Sequence, residues 1–365
     1  MTTYHLKISL LSPLHIGSGE ELRAEFDFIT VSKNTYRLDV DAIMLDFADQ
    51  FQPDSRGVFP TPGYILKKFN SFSNPKYYRY VIKGYPRSNK TDARVQECIK
   101  DVHDEPYLPG SSIKGALRTA LAWSGWSEKN LEVDAWSRNK FQAGSKFESA
   151  LFGKDPNHDL LKALHVSDCF SISAKRRLVL ANAQVLTKTD IGTPIELEAL
   201  AGDIVFTGNL KIDDTYFSEA AEEVLHFSDR KHWLDEILIR AQNHSRARIE
   251  SMLKWFNTID SGERVVNFLD QLYSVALNSN QALIQIGWGT GWDGMTFWTH
   301  LQQDEYLFEK MLKEYNMVRK GHRELGDVFP KSRRVVMQTK DGVDKPLAPF
   351  GWVLVEMEPL AKETN

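Results

Sequence analysis

A glycine-rich loop follows a short β-rich segment in each half of the chain, and this feature constrains the fold most. Near the N-terminus, the alternating segment Tyr4–Leu11 leads through Pro13 into Gly17-Ser18-Gly19. In the second half, Gln281–Ile286 leads into residues 287–294, which hold four glycines in eight positions. Alternation predicts strands, and the stretches between them mix helical and strand patterns. Because strands and helices do not alternate regularly, we predict an α+β fold and not a doubly wound parallel sheet.

The chain of 365 residues is long enough for two domains. We predict one over residues 1–160, with a basic insertion near residues 52–105. The second covers residues 161–365 and carries a helical insertion and the second glycine-rich loop. The insertion begins in a segment rich in proline and glycine, which is typical of a loop.

Cysteine content and hydropathy point to the cytoplasm. The two cysteines, Cys98 and Cys169, lie far apart in no paired motif, which excludes a disulfide framework and a cysteine zinc site. No apolar run approaches the ~20 residues of a membrane span, and the N-terminus lacks the features of a signal peptide. We therefore expect a cytoplasmic protein without membrane contact.

Charge is distributed unevenly around a net value of -4. Residues 76–100 carry seven Lys/Arg against two acids, and residues 311–334 carry seven against three. Residues 190–236 carry twelve Asp/Glu against three basic residues. This pattern predicts one basic and one acidic face, or, equally, solvated helices.

The sharpest local signal is Tyr107–Leu121, which predicts a turn followed by a helix. Ser111 or Ser112 is expected to cap that helix. Lys114 and Arg118 lie four residues apart and share one helical face, opposite an apolar stripe. A phosphate could lie against the free amides at such a helix start; in the alternative interpretation, the helix is structural and both cations are solvated.

The loop at residues 287–294 has two interpretations as well. Closely spaced glycines let backbone amides approach a phosphate, and its two tryptophans could stack on bases. Alternatively, it is a tight turn with tryptophans in the core. It is neither a Walker phosphate loop nor a dinucleotide fingerprint, because the residues that complete those motifs are absent.

His15 is the candidate for catalysis, because it lies between a strand and a glycine-rich loop, where a general base could act. A histidine beside a turn is more often packed or hydrogen-bonded. The other histidines show no metal-binding spacing, so we predict neither a metal nor a cofactor.

Three segments together resemble the RAMP superfamily of CRISPR–Cas proteins. They are Leu10–Gly19, Tyr107–Arg118 and Ile286–Trp292, with smaller similarities at Leu151–Gly153, Val166–Asp168 and Ile195–Glu198. The segments Phe329–Arg334 and Pro349–Val353 resemble the large RAMP subunit that caps the head of the type III-A (Csm) effector complex.

This resemblance implies two ferredoxin-like, RRM-related domains with helical insertions. It also implies a non-catalytic subunit that binds the CRISPR guide RNA, and target RNA with it, beside neighbouring RAMP backbone subunits. Such a subunit caps the 3′ side of the guide and assists 3′-end maturation, by protecting the RNA or recruiting a nuclease.

The motifs define a set of candidate RNA-binding residues. These are Gly17, Ser18, Gly19, Ser111, Ser112, Lys114, Arg118, Gly287, Gly289, Thr290, Gly291, Lys331, Arg333 and Arg334. Two other hypotheses stay open. His15 falls where processing endonucleases of the superfamily keep a catalytic histidine, which would make the chain a metal-independent CRISPR RNA endoribonuclease. Alternatively, the acidic residues 190–236 contact a nuclease or sibling subunit, and the chain is a protein-interaction cap.

Overall fold

The computed structural model describes residues 2–87, 93–133, 136–137, 139–317, 327–340 and 342–360. Parts of both predicted basic stretches, residues 88–92 and 318–326, lie outside the described residues. The strands within the described ranges are β1 Thr2–Leu10, β2 Gly17–Arg23, β3 Phe28–Val31, β4 Asn34–Leu38, β5 Tyr78–Lys83, β6 Arg94–Cys98, β7 Leu164–Val166, β8 Leu178–Leu186, β9 Ile195–Leu200, β10 Val205–Ile212, β11 Gln281–Gln285, β12 Arg333–Lys340, β13 Val343–Ala348 and β14 Trp352–Pro359.

Helices connect and cover these strands. Those in the described ranges are α1 Val40–Asp46, α2 Pro62–Lys68, α3 Gly110–Glu128, α4 Ser145–Phe152, α5 Glu219–Leu225, α6 Lys231–Asp235, α7 Ile237–Phe256, α8 Glu263–Tyr273, α9 Trp298–Leu301 and α10 Glu305–Glu314. No helix in the described ranges is long and apolar enough to cross a membrane.

The smaller sheet has five strands in the order β11-β14-β1-β10-β7, and every pairing is antiparallel. The predicted opening strand is confirmed as β1, which lies at the centre. Leu6 and Ile8 on its inner face are fully buried, as alternation predicts. Helices α3 and α7 pack together and against strands of this sheet, so the main hydrophobic core lies between them.

The larger sheet has a main path of strands in the order β2-β6-β9-β8-β5-β4-β3, and β12 joins it by pairing with β8 and β13. Most pairings are antiparallel, but β5 with β8 and β6 with β9 are parallel. The β-rich residues 26–31 and 35–40 predict a hairpin around residues 32–34, which is confirmed as β3 and β4. The predicted α+β class is confirmed by these two sheets and their helices.

Residues 195–201 and 203–212 alternate and predict a pair of strands; both strands form, but the pairing is wrong, because β9 belongs to the larger sheet and β10 to the smaller. Residues 296–317 have a helical pattern, and the structure confirms helix there. It forms two helices, α9 and α10, because Asp304 accepts a hydrogen bond from the Leu307 amide and starts the second one. Each sheet contains strands from both sides of residue 160. The domain boundary at residue 160 stays a prediction.

Candidate nucleic-acid interface

Three chain segments, residues 13–19, 286–291 and 349–351, meet where strands β1 and β11 end and β14 begins; we call this the glycine junction. The Trp288 amide donates a hydrogen bond to the His15 carbonyl at 2.8 Å. The Gly351 amide donates to the Pro13 carbonyl, and the Ile286 amide donates to the Gly351 carbonyl, both at 2.9 Å. The two glycine-rich regions recognised in the sequence are therefore neighbours in space.

Glycine is required in the junction for two reasons, conformation and space. Gly287 and Gly351 have φ angles of 76° and 79°, in the left-handed region that other residues avoid. A Cβ atom on Gly351 would lie 2.0 Å from the carbonyl oxygen of Ile286, and one on Gly287 would lie 2.6 Å from that of His15. Close backbone approach at these positions therefore builds the junction itself.

The outer side of the junction is open to solvent. Gly17, Ser18 and Gly19 are exposed. They fall at the start of strand β2, but the register of β2 against β6 shifts between Gly17 and Glu21, so Ser18 and Gly19 form an irregular turn within the strand. The irregularity keeps this stretch of backbone away from regular pairing and accessible to a ligand.

Arg334 adds an exposed cation beside the junction. Its guanidinium lies 5.1 Å from the centre of the Trp288 ring, and that indole is half-buried with its edge against Phe350. Thr290 in the same loop is buried, and its carbonyl accepts a hydrogen bond from Arg248 at 3.0 Å. The Trp288 ring of the loop thus lies against the exposed Arg334, and Arg248 anchors the loop to the core through Thr290.

His15 lies beneath this surface, with only 2% of its surface exposed. Its Nδ1 is 2.6 Å from the carbonyl oxygen of Glu198, and burial lowers the pKa of the imidazole. The Glu198 carboxylate is fully buried, pairs with Lys100, and accepts hydrogen bonds from the Tyr80 hydroxyl and the Cys98 amide. Burial, with the Glu198 charge, raises the pKa of Tyr80.

Sequence reasoning missed this buried network. Glu198 lies on β9 between β6 and β8, and its carboxylate faces inward although two Glu residues in an alternating strand favour an exposed face. Lys100 belongs to the basic stretch 76–100, for which the sequence leaves a basic face and solvated helices equally open. The one related feature of the sequence was the similarity of Ile195–Glu198 to the RAMP superfamily, and it did not indicate which residues would surround Glu198.

Helix α3 begins differently from the prediction. Its first residue is Gly110, and no side chain of the helix caps it, so the expected capping by Ser111 or Ser112 is wrong. The Gly110 amide instead donates to the Asp168 carboxylate at 2.8 Å. The reason is close packing, because a Cβ on Gly110 would lie 2.2 Å from the Val166 carbonyl oxygen, and a carboxylate there favours the positive end of the helix dipole.

The two cations of the helix motif have partners within the chain. Lys114 donates to the Leu164 carbonyl at 2.8 Å, and burial lowers its pKa. The Arg118 guanidinium pairs with Asp159 at 2.7 Å and with Glu148 at 2.8 Å. It also lies over an aromatic ring, that of Phe152, at 4.0 Å. Among the described residues, no hydrogen bond or ion pair links Ser111, Ser112, Lys114 or Arg118 to the glycine junction.

The basic tail divides into three different environments. Lys331 is exposed and pairs with Asp327 at 2.9 Å. The sequence of residues 329–334 predicts the start of an exposed basic segment, which is wrong at Arg333. Its side chain is only 9% exposed, because β12 begins there and turns it inward toward Asp293, 3.3 Å away. Its neighbour Arg334 lies on the opposite face and is exposed. In the described part of the chain, no cluster of His, Cys, Asp and Glu could hold a metal.

Comparisons with known proteins agree with this architecture. A protein named CRISPR system Cms protein Csm5 from Methanocaldococcus jannaschii is 23% identical over 96% of this chain and 88% of its own length. A Streptococcus thermophilus protein of the same name is 27% identical over 53% of this chain and 59% of its own.

Solved structures show the same fold. A chain of a Csm–crRNA–target RNA ternary complex from a type III-A CRISPR–Cas system aligns over 98% of this chain and 100% of that chain, with a TM-score of 0.75 and 23% identity. The crystal structure of T. onnurineus Csm5 aligns over 95% of this chain and 99% of its own, with a TM-score of 0.67 and 18% identity.

The expected α+β fold with two ferredoxin-like units is confirmed by these full-length likenesses together with the family match. The model of the RAMP superfamily matches residues 7–292, which is more than half of the chain and includes the three motifs that first indicated the family. The chain therefore belongs to the RAMP superfamily.

Proposed function

We propose that the chain is a non-catalytic subunit of a type III-A interference complex that binds the CRISPR guide RNA in the cytoplasm. It caps the 3′ side of the guide and assists 3′-end maturation in antiviral defence. The similarity to Csm5 proteins, which covers nearly the whole chain in one case, supports membership in such a complex. The proposed partners are guide RNA, target RNA, neighbouring RAMP backbone subunits and a recruited nuclease.

The observation that carries the proposal is the open side of the glycine junction. Backbone uncovered by side chains lets a sugar-phosphate chain approach closely. An arginine can pair with a phosphate and an indole can stack on a base; Arg334 and Trp288 offer both within 5.1 Å of each other. Contacts of this type fix the position of an RNA without reading its sequence.

The proposed RNA-binding residues form two groups. The first follows the junction: Gly17, Ser18, Gly19, Gly287, Gly289, Thr290, Gly291, Lys331, Arg333 and Arg334. The second is the helix motif, with Ser111, Ser112, Lys114 and Arg118. An RNA bound by the second group would have to compete with Asp159, Glu148 and the Leu164 carbonyl for its two cations. The first group makes the larger contribution, because its Arg334 is exposed beside Trp288.

The alternative, an endoribonuclease using His15, requires that histidine to reach a ribose hydroxyl. Burial of the ring and its hydrogen bond to the Glu198 carbonyl argue against that role, because a general base must lie within hydrogen-bonding reach of the proton it removes. Incubating the purified chain with precursor RNA in EDTA tests this. Specific cleavage that His15→Ala abolishes would make the chain an enzyme.

Assembly tests the proposal directly. The chain is expressed with its type III-A sibling subunits and a CRISPR array, and the complex is purified through a sibling. We expect the chain to co-purify with guide RNA, and we expect guides from cells that lack the chain to have longer or heterogeneous 3′ ends. Unchanged 3′ ends together with no association would contradict the proposal.

A further inference from the structure

A basic turn and a pair of stacked aromatic rings form a surface outside the glycine junction. The turn is Lys175-Arg176-Arg177, a short 3-10 helix that leads directly into β8. The ring pair is Tyr107 and Phe170, whose ring centres are 5.7 Å apart with their planes inclined at 23°. We call these residues the aromatic–basic surface.

The fold holds the two parts of this surface next to each other. Lys175 of the turn pairs at 3.5 Å with Glu105, which lies two residues before Tyr107 in the chain. Phe170 is fixed by two backbone hydrogen bonds with Thr207, at 2.9 and 3.0 Å. The rings and the cations therefore lie on neighbouring segments whose positions are set before any ligand binds.

The two arginines of the turn are available to a ligand. Arg176 and Arg177 are exposed, and within the described ranges no hydrogen bond or ion pair engages either guanidinium. Nearby carboxylates have other partners, since Glu105 pairs with Lys175 and Asp104 pairs with an arginine of β5. A guanidinium without a carboxylate partner keeps its N–H donors for a phosphate.

The ring pair presents an aromatic face to solvent. Phe170 is 52% exposed, so its contact with Tyr107 leaves much of the ring accessible, and the neighbouring Ile172 is fully exposed. An exposed ring can stack on any nucleobase, because every base has a π-face. Free cations beside such a ring suit single-stranded nucleic acid, in which phosphates and accessible bases lie close together.

On one side, the surface borders the glycine junction. Leu178, directly after the turn, and Leu14 of the junction pair with Leu200 from its two sides in the larger sheet. Neighbouring strands lie ~4.8 Å apart, so the end of the basic turn and the junction are separated by roughly 10 Å.

On another side, the surface borders the start of helix α3. Leu108 and Cys169 exchange two backbone hydrogen bonds, both at 2.9 Å. Leu108 directly follows Tyr107 and Cys169 directly precedes Phe170, so this contact joins the two rings to the entry of the helix. The aromatic–basic surface therefore borders both regions that the sequence motifs indicated.

We propose that the aromatic–basic surface binds a single-stranded stretch of the RNA that the glycine junction holds. Arg176 and Arg177 pair with phosphates, an unstacked base lies on Phe170, and Lys175 positions the turn through Glu105. The positive charge of the turn and its continuity with the junction favour RNA over a protein segment. This inference rests on the proposed RNA-binding function and extends the contact from the junction toward α3.

The first test measures binding of a fluorescent single-stranded guide RNA to the full chain at several salt concentrations. In Arg176→Ala/Arg177→Ala, loss of two phosphate contacts should lower the salt slope by about 1.4 and weaken binding about tenfold. Arg246→Ala is the matched control. Arg246 is also exposed, has no ion pair within the described ranges and lies over the Tyr273 ring in a different cavity, so both quantities should stay unchanged.

The second test separates stacking from charge. Phe170→Leu keeps an apolar side chain but loses the ring, so binding should weaken about tenfold while the salt slope stays the same. Phe170→Trp keeps a stacking face and should retain the affinity. The loss in Phe170→Leu should vanish when the RNA is paired with its full complement. The control is Phe59→Leu, at a ring 60% exposed in the loop before α2.

Cross-linking of the unchanged protein identifies the RNA strand and does not depend on how any variant folds. A photoreactive thiouridine is placed at single positions of the guide RNA or, in a second series, of the target RNA. Cross-links to residues 170–177 support the surface and show which strand it binds. RNA that binds without cross-linking there in either series contradicts the proposal.

The outcomes separate this inference from the function on which it rests. Salt-dependent RNA binding that the variants of Phe170, Arg176 and Arg177 leave unchanged overturns the aromatic–basic surface alone. Absence of RNA binding by the unchanged chain overturns both proposals. Variants that lose association with sibling subunits at unchanged RNA affinity assign the surface to a protein partner and overturn its role in RNA binding.

Discussion

Arg118 in the helix motif and Arg334 beside the glycine junction are both arginines in segments that point to RNA binding, yet their surroundings differ. Arg118 has two carboxylate partners and an aromatic ring under its guanidinium. Arg334 is exposed over Trp288. A motif therefore does not determine whether its cation binds a ligand or stabilises the fold; the neighbouring acids do.

The largest loss of stability is expected when the buried Glu198–Lys100 pair beneath the glycine junction is broken. Lys100→Met leaves the Glu198 carboxylate buried without its cation, which should lower the free energy of unfolding by ~3–5 kcal/mol. Urea denaturation measures it. The control is Lys7→Met, which breaks the more exposed Lys7–Glu356 pair. Equal losses in the two variants would show that the network does not support the junction.

The close contact between the backbone at Gly351 and the Ile286 carbonyl should affect the free energy of unfolding almost as much. Gly351→Ala places a Cβ against the Ile286 carbonyl and should lower the free energy of unfolding by ~2–4 kcal/mol. Gly342→Ala is the matched control, since Gly342 has nearly the same φ but no atom within 4 Å of an added Cβ. Thermal unfolding of both separates steric overlap from conformational strain. A loss in Gly351→Ala no greater than in the control would refute the close contact.

Acid should weaken the junction through His15. Burial lowers the pKa of His15 in the folded state, whereas the unfolded chain takes up a proton below pH ~6.5. Stability is therefore lost as the pH falls below that value, by at most ~1.4 kcal/mol per pH unit from this group. His15→Gln should flatten the dependence between pH 7 and 5, and His103→Gln on an exposed turn should not. Identical slopes in all three proteins would contradict a buried neutral imidazole.

Because Arg118 of the helix motif stabilises the fold, its removal should cause a moderate loss of stability. Arg118→Ala removes two ion pairs and a ring contact at a side chain that is 28% exposed, so we expect the free energy of unfolding to fall by ~1–2 kcal/mol. Arg56→Ala, at a side chain 80% exposed, serves as the control. If Arg118→Ala matches the control, its partners contribute nothing and the cation is available for RNA.

The smallest expected effect is an increase in the free energy of unfolding, for a substitution at Gly115. A Cβ added to Gly115 would meet no atom within 4 Å, and alanine is favoured over glycine within a helix by ~0.5–1 kcal/mol. Gly115→Ala should therefore stabilise the chain and leave RNA binding unchanged. A stabilised variant with weaker RNA binding would show that RNA approaches the backbone of α3. The helix motif would then be an RNA contact and not only a structural element.

The sequence predicted the parts of this molecule that depend on local pattern. The opening strand, the hairpin of β3 and β4 and the apolar stripe of α3 follow from alternation and helical periodicity. Long-range pairing was not predictable in this way. Strands β9 and β10 are adjacent in the chain but enter different sheets, because each finds its partners among strands far away in the sequence.

The sequence indicated the glycine-rich loops of the junction but not the side chains around them. Gly287 lies in a predicted glycine-rich loop, and its positive φ and close backbone contact agree with that expectation, whereas the contact of Gly351 with Ile286 depends on how distant segments meet. The roles of Glu198, Lys100 and Asp168 depend on which strands surround them, and Arg333 is buried only because β12 starts at that residue. No local pattern carries that information.

RNA affinity as a function of salt for Arg334→Ala and Arg118→Ala tests the central claim most directly. If the junction holds the RNA, Arg334→Ala weakens binding about tenfold and lowers the salt slope by about 0.7, the value for one phosphate contact on a single strand. Arg118→Ala then changes the affinity and the salt slope by less than Arg334→Ala does. The reverse result, a reduced slope in Arg118→Ala and none in Arg334→Ala, would place the RNA on the helix motif and contradict the account.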